Sequence, residues 1–503
     1  MSDLPSSWCQ CEFGDVAQVV GGSTPPSKDA ANFDTVGGMP WITPADLSGY
    51  KAMYISRGAR SLTERGLAAC SARELPTGTV LFSSRAPIGY VAIAARPVTT
   101  NQGFKSFVLP PQIEPRFIYF YLRHIKPEAE ARATGTTFKE LSGAAAAKLP
   151  LLLAPIPEQG RISDKLDGVL ARVDACHDRL RNVPAILKRF RQSVLSAACS
   201  GRLTEEWRAT EPSKTNAAQL AHALHGAHES AGGHKAGNAA APTEGVHDLS
   251  ADLFPPEWAL VTLRDLVLPD RPITYGILKP GPELEDGVPY VRVADFPGEK
   301  LNLSTIRKTS PKMDGEFKRS RLRPGDILLS IRGTVGRLIV IPKVLDGANI
   351  TQDSARLSIQ PAANRDYVLW YLRSEMAQSR MKSATKGVAV RGMNIGDVRA
   401  LQVPLPSRDE QDEIVRRVES LFAWADRLEA RLVIGRTQVE RLTPALLAKA
   451  FRGELVPQDP ADEPASELLE RLGRRPTDNP TGLPKRQGAK RSRADAPQTA
   501  SSA

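Results

Sequence analysis

The sequence contains no run of about 18 uncharged apolar residues, the length a membrane-crossing helix requires. Its first residues, MSDLPSSWCQCEFGD, lack a basic stretch leading into an apolar one, so nothing there reads as a secretory signal. A soluble, cytoplasmic protein is expected. Cysteine is scarce, with Cys9, Cys11, Cys70, Cys176 and Cys199 the five present in 503 residues. The C-x-C spacing of the first two is not a zinc knuckle, which leaves free thiols in a reducing compartment and no metal site. Histidine is also rare, and His222, His225, His228, His234 and His247 are five of the seven. No cysteine or closing H-x-x-x-H pair accompanies them, so a solvated linker is the simpler reading of that stretch. Signatures of catalysis are missing too: there is no G-x-x-x-x-G-K-[ST] loop and no H-E-x-x-H. Nor is there an Asn-Pro-Pro or Asp-Pro-Pro followed by an aromatic. A metal-nuclease reading could start from Pro269-Asp270 and Glu316-x-Lys318, but their separation and lack of a shared strand make coincidence the simpler account.

What the sequence does have is a long helical signal, twice. From residue 157 to 203, apolar or small residues fall at Ile162, Leu166, Val169, Val173, Cys176, Leu180, Val183, Leu187, Phe190, Val194 and Ala197, alternating four and three apart. That is a heptad seam, narrower than the apolar face of an ordinary core helix, and it asks for a single partner helix. Moving each position on by 252 gives Ile414, Val418, Leu421, Ala425, Leu428, Leu432, Gly435, Val439, Leu442, Leu446 and Lys449, the same register with lapses only at Gly435 and Lys449. The partner is therefore expected within the chain. Pro184 should kink or break the first helix, because proline lacks the N–H and crowds the preceding turn. Thr443-Pro444 has the form of an N-cap and N1 pair restarting the second. Gly201 and Gly453 stand at equivalent positions where a C-cap glycine belongs.

The repeat extends beyond the helices. LPSSW (4 to 8) answers LFPPEW (253 to 258), GGMPWITPADLSG (37 to 49) answers DGVPYVRVADFPG (286 to 298), and LPTGTVLFSSRAPIGYVAIA (75 to 94) answers LRPGDILLSIRGTVGRLIVI (322 to 341). FIYFYLRH matches YVLWYLRS, PIPEQGRI matches SRDEQDEI, and SAACSGRL matches AKAFRGEL. A period this long is a duplicated domain-plus-helix unit and not a solenoid. The expected fold class is a duplicated mixed α/β (α+β) globular domain, each copy followed by a long helix. The two helices should pair as an antiparallel coiled coil about a pseudo-two-fold axis. The divisions are a first domain at 1–156, a spacer helix at 157–208, a linker rich in His, Ala and Gly at 209–250, a second domain at 251–406, a second spacer helix at 407–472, and a basic, disordered tail at 473–503. The seam is carried by Leu166, Val169, Val173, Leu180 and Leu187 on one helix and Val418, Leu421, Leu428, Leu432, Val439 and Leu442 on the other. Both globular segments are basic, +3 over residues 1–150 and +6 over 251–406, which suits a polyanionic partner. The helices differ in sign, +3 over 151–208 against −4 over 407–472, which favours pairing with each other.

The GGSTPP loop, the LRPGDILLSIRGTVG hairpin, the PIPEQGRI and PLPSRDEQDEIV helix starts and the AFRGELVPQDPADEPASELLERL stretch (450 to 472) together resemble the DNA-specificity subunits of type I restriction-modification systems. The resemblance covers nearly all of residues 1 to 472, and the order domain, helix, domain, helix is that family's plan. It implies two target-recognition domains, each reading one half of a bipartite double-stranded DNA target. It also implies spacer helices that set the gap and dock methyltransferase subunits, two in number, with restriction/translocase subunits as further partners. No cofactor is then expected on this chain, S-adenosylmethionine, ATP and Mg²⁺ belonging to the partner subunits. The residues expected to meet DNA are polar or basic and lie on loops equivalent in the two halves. They are Arg57, Arg60, Arg85, Gln102, Lys105 and Lys139 in the first domain, and Arg332, Arg337, Gln352, Arg356, Lys386 and Arg391 in the second. Arg and Gln can pair bidentately with guanine and adenine edges, whereas Lys mostly holds phosphate. Two rival readings are a coiled-coil scaffold tethering two protein-binding domains, and a nuclease or methyltransferase acting alone. The first leaves the basic domains unexplained and the second lacks its motifs.

Overall fold

The computed structural model describes residues 4–135, 139–211, 215–230, 249–385 and 392–473. It divides into two compact units, and the division does not follow chain order. One unit joins residues 1–178 to 436–503, and the other is the continuous stretch 179–435. Each globular domain is thus built together with one half of each long helix.

In the first unit, a five-stranded sheet runs in the order Gln18–Gly21, Lys105–Val108, Val80–Phe82, Val91–Ala94, Tyr54–Ile55. A four-stranded sheet follows the order Phe33–Asp34, Arg60–Leu62, Met39–Ile42, Thr99–Thr100. The hairpin expected around Arg85 is present, with Val80 opposite Ile93 and Phe82 opposite Val91. The helix Pro115–His124 buries Phe117 through Leu122. Its Phe117 and Tyr121 rings meet Phe451 edge-on at 5.4 and 4.9 Å, so the helix carries the domain's core onto the segment that ends the second long helix.

The second unit repeats the plan. A four-stranded sheet orders Thr274–Tyr275, Ser354–Leu357, Ile327–Ser330, Leu338–Val340, and a three-stranded one orders Arg307–Thr309, Val288–Val291, Asn349–Ile350. In both units a two-stranded ribbon ties the start of the domain to the strand leading into a long helix: Cys9–Glu12 with Pro150–Leu153, and Ala259–Thr262 with Gln402–Leu405. A buried carboxylate at the first turn of each helix accepts an indole N–H at 2.9 Å, Trp8 to Glu158 and Trp258 to Glu410. These pairs are 250 and 252 residues apart, so the duplication reaches individual hydrogen bonds.

The long helices run Ile156–Cys199 and Arg408–Ala450. In the second unit Phe190 packs against Trp424, Arg191 pairs with Asp426 and Glu429, and Arg417 donates to the Leu203 carbonyl. Numbers rise on one helix as they fall on the other, which makes the pairing antiparallel. The seam holds at Leu166, Val173, Leu187, Val418 and Leu432, which are buried, while Val169, Leu180, Leu421, Leu428 and Val439 are half-buried. Leu442 corrects the expectation: it is 44% exposed, and Leu447 is buried in its stead. A straight helix drifts about 20° per heptad from a strict seven-residue repeat, and near its end this helix packs on the first domain's core and not only on its partner. For the same reason Leu170, outside the seam, is buried. Pro184 does not break its helix, nor Pro444 the other, both lying inside continuous helices. The lost bond, worth about 3 kcal/mol, is offset by packing on either side.

The linker also departs from expectation. Ala217–Ser230 is a helix whose Ala217, Leu224 and His228 are buried, Leu224 within the second domain's core. His228 donates from Nε2 to the Val267 carbonyl at 2.9 Å, and His225 Nδ1 lies 3.2 Å from Asp265. Its counterpart is Ala465–Gly473, which buries Ala465 and Leu468 in the first unit. Ala217, Leu220 and Leu224 precede Ala465, Leu468 and Leu472 by the same 248 residues, so this helix belongs to the repeat. His234, His247 and the basic tail lie outside the described residues.

Candidate nucleic-acid interface

The two hairpin loops are the same device built from different residues. In the first domain the Ser83 hydroxyl donates to the Pro87 carbonyl and accepts the Tyr90 N–H, both at 2.8 Å. In the second, Ser330 donates to the Thr334 carbonyl at 2.5 Å and accepts the Arg337 N–H at 2.8 Å. Gly89 and Gly336 close the loops at φ +95° and +96°, which a side chain at either place would strain. The loops hold Arg85 and Arg332 at matching positions, each with its backbone N–H aimed at one carbonyl, Gly103 or Asp353.

Around Arg85 the first domain gathers most of the expected residues. Arg85 and Lys105 meet on one carboxylate, Glu140, at 3.0 and 3.4 Å. Gln102 is exposed and its Oε1 accepts from the Thr24 hydroxyl, which belongs to the GGSTPP loop. The neighbouring Ser23 carbonyl accepts the Trp41 indole N–H at 3.1 Å. Over that indole lies Arg60, its guanidinium 5.2 Å from the Trp41 ring and 4.4 Å from Phe33. Arg57 is exposed and donates to the Thr35 carbonyl. Lys139 is exposed beside Glu140. A connected surface therefore runs from Arg57 and Arg60 through Gln102 to Arg85, Lys105 and Lys139. Glu140 was not singled out by sequence, since only a contact across 55 residues reveals it.

In the second domain Arg332 is exposed, and the residue facing it where Glu140 faces Arg85 is Gly392, which has no side chain to pair with. Arg337 is half-buried and reaches the Val293 carbonyl at 3.5 Å. Gln352 is half-buried next to the Asp353 carbonyl that holds the Arg332 loop. Lys386 and Arg391 lie outside the described residues. Arg356 is a correction. It is only 2% exposed, its guanidinium donates to the carbonyls of Arg319, Arg321 and Pro272, and burial keeps it away from any base. Burial holds its pKa down to about 10. Its place in the strand Ser354–Leu357 puts it inside the sheet.

The family model for the type I restriction modification DNA specificity domain matches this chain twice, over residues 5–183 and 255–434. The chain belongs to that family. Among its members, the EcoBI specificity subunit of Escherichia coli is 35% identical over 366 residues, which is 71% of each chain. The EcoKI specificity subunit of Escherichia coli strain K12 is 27% identical over 504 residues, covering 93% of this chain and 95% of that one. The crystal structure of the HsdS subunit from Thermoanaerobacter tengcongensis shares the fold, with a TM-score of 0.54 at 21% identity over 90% of this chain and 98% of that one. Both matched segments run from the start of a recognition domain to about the middle of the long helix that follows, so the family model and the internal repeat mark the same unit.

Proposed function

We propose that this chain is the non-catalytic sequence reader of a type I restriction-modification complex, each recognition domain contacting one half of a split double-stranded DNA target in the cytoplasm. The observation that carries the reading is the paired hairpin loop, which presents Arg85 and Arg332 at the same place on two otherwise different domains, each beside a glutamine, Gln102 or Gln352. Arginine and glutamine are the side chains that discriminate guanine and adenine edges in the major groove, at about 1–3 kcal/mol per bidentate pair. Two unlike readers imply a target whose halves differ. The helices set the unspecified gap and dock methyltransferase subunits, two of them in the simplest symmetric arrangement, and restriction/translocase subunits complete the assembly. S-adenosylmethionine, ATP and Mg²⁺ act on those partners.

The test is base-resolution mapping of adenine methylation in cells with the chain, without it, and with residues 1–156 replaced by the corresponding domain of a relative. One half of the methylated sequence should change while the other half and the gap stay. A simultaneous change in both halves defeats the modular reading. The isolated chain should neither cut DNA nor transfer a methyl group. Robust Mg²⁺-dependent cleavage by it, abolished by Glu316→Ala, would refute the non-catalytic role.

A further inference from the structure

The second domain contains a surface turn held from beneath by two buried arginines. Residues 318–323, Lys-Arg-Ser-Arg-Leu-Arg, carry four cations and no acid. Arg356 donates from Nη1 to the carbonyls of Arg319 and Arg321 at 2.5 and 3.1 Å. Arg271, 9% exposed, donates to the same Arg321 carbonyl at 3.0 Å and pairs with Asp326 at 2.7 Å. Asp326 in turn accepts the Arg323 backbone N–H at 2.7 Å. From the other side Ser320 donates to Asn349 Oδ1 at 2.6 Å, and Asn349 donates to Asp314, the carboxylate that pairs with the Arg321 side chain. The backbone of the turn is thus fixed at 319, 320, 321 and 323, while Lys318, Arg319 and Arg323 point into solvent with no ion pair among the described residues.

Burying two guanidinium groups to hold main-chain carbonyls is costly, because each gives up its hydration. The Arg356 Nε has no partner among the described residues. The first domain builds the equivalent turn and strand without the arrangement. The first domain has Ser106 where the second has Arg356, and its equivalent turn, Ser71 to Pro76, carries one cation and one acid. What the second domain gains is a rigid tripod of unpaired cations. The turn feeds the strand Ile327–Ser330, and the Arg332 loop leaves that strand's far end. Four strand residues span about 13 Å, close to the roughly 12 Å width of the major groove. Residues 324–326 and Ile331 lengthen that separation, so with Arg332 over base edges the turn lies within reach of the phosphates bordering the groove.

We propose that Lys318, Arg319 and Arg323 form a DNA-backbone clamp specific to the second domain, with Arg356 as the positioning residue that presets it. The proposal rests on the DNA-reading function above. It assigns the clamp to affinity and register, not to base choice.

The experiment is fluorescence anisotropy of the full chain on a labelled duplex bearing its methylated sequence, repeated over a range of salt. The variants are Lys318→Ala/Arg319→Ala/Arg323→Ala, Arg356→Met, and all four together. Each lost phosphate contact should lower the slope of log K against log salt by about 0.9, which near 0.15 M salt is roughly a fivefold loss of affinity. The triple variant should lose up to about 2.7 in slope by the same rule, while the bases methylated in cells stay the same. Arg356→Met should lose part of that slope in the native background and nothing further in the triple variant, a coupling that a merely structural residue would not show. An unchanged slope in the triple variant, or an altered methylated sequence, overturns the clamp. Additive losses from Arg356→Met overturn its positioning role. If the unsubstituted chain shows no salt-dependent binding, the DNA-reading function itself fails, which is a distinguishable result.

Discussion

Replacing Gly453 by alanine should unseat the first recognition domain while leaving the second intact. Gly453 lies just past the second long helix at φ +73°, and a Cβ there would come within 2.3 Å of Pro5 Cγ and 2.9 Å of Pro5 Cδ. Its equivalent, Gly201 at φ +77°, would meet Pro255 Cγ at 2.4 Å and Cδ at 2.8 Å. Two costs add. A left-handed alanine costs about 1–2 kcal/mol. The forced contact, more than an ångström inside normal carbon–carbon separation, costs about 1–3 kcal/mol. A total of about 2–5 kcal/mol is a large share of the roughly 5–15 kcal/mol that holds a domain. Hydrogen exchange read by mass spectrometry separates the units. Gly453→Ala should speed exchange in residues 4–178 and 436–473, and Gly201→Ala in 179–435. Adding Pro5→Ala to Gly453→Ala should recover the contact part, about 1–3 kcal/mol, and leave the backbone strain. A loss below about 0.5 kcal/mol in both glycine variants, within the range of an ordinary surface substitution, or an effect in the opposite unit, refutes the argument.

Glu140→Gln should free Arg85 and Lys105 together, raising affinity for unrelated duplexes and blurring the first half of the methylated sequence; unchanged methylation maps would count against a positioning role. Glu410→Ala strands the Trp258 indole, Thr204 and Arg208, and should cost about 3–5 kcal/mol in urea unfolding of the second unit, as breaking a buried charge pair does. Arg416 and Arg417 bring the Glu413 carboxyl down to about 2, so its contribution is complete above its ordinary value near 4.5 and is lost as pH falls from there toward 2. A Glu413→Gln variant should show a flatter acid limb in the same unfolding experiment, and an identical limb would contradict the pairing. Deleting residues 177–183 together with 429–435 removes a whole heptad, about 10 Å, from each helix. The unspecified gap should shorten by about three base pairs at 3.4 Å each, and methylation retained at the original spacing would show that the helices do not set it.

The parts of the fold visible in the sequence are those whose cause is local and periodic. The heptad seam, the C-cap glycines and the hairpin around Arg85 each follow from spacing within one element, and duplication lets each be read twice. Burial across the sheet is not of that kind. Arg356 has the composition of a DNA-reading side chain, and only the carbonyls brought to it from 37, 35 and 84 residues away make it internal. Glu140 was missed for the same reason. The helix Ala217–Ser230 was hidden by its setting, since alanine-rich sequence beside glycines and histidines reads as linker until Leu220 and Leu224 are matched with Leu468 and Leu472. Leu447 takes the buried place expected of Leu442 because the first domain's core, and not only a partner helix, covers that end of the seam.

The division of the chain into 1–178 with 436–503, and 179–435, also sets an order of assembly on the ribosome. The second unit is contiguous, so every residue it needs is made in one stretch. The first is not: Phe117, Tyr121 and Pro5 wait for Phe451 and Gly453, and the ribosome must add more than 250 residues between Asp178 and Arg436 before those arrive. At about 5–20 residues per second, that is roughly 15–50 s during which the earlier-made reader stands with part of its aromatic core uncovered. The reader completed first is therefore the one encoded last, and a nascent chain that stalls after residue 435 carries one finished recognition domain and one that still lacks its closing helix.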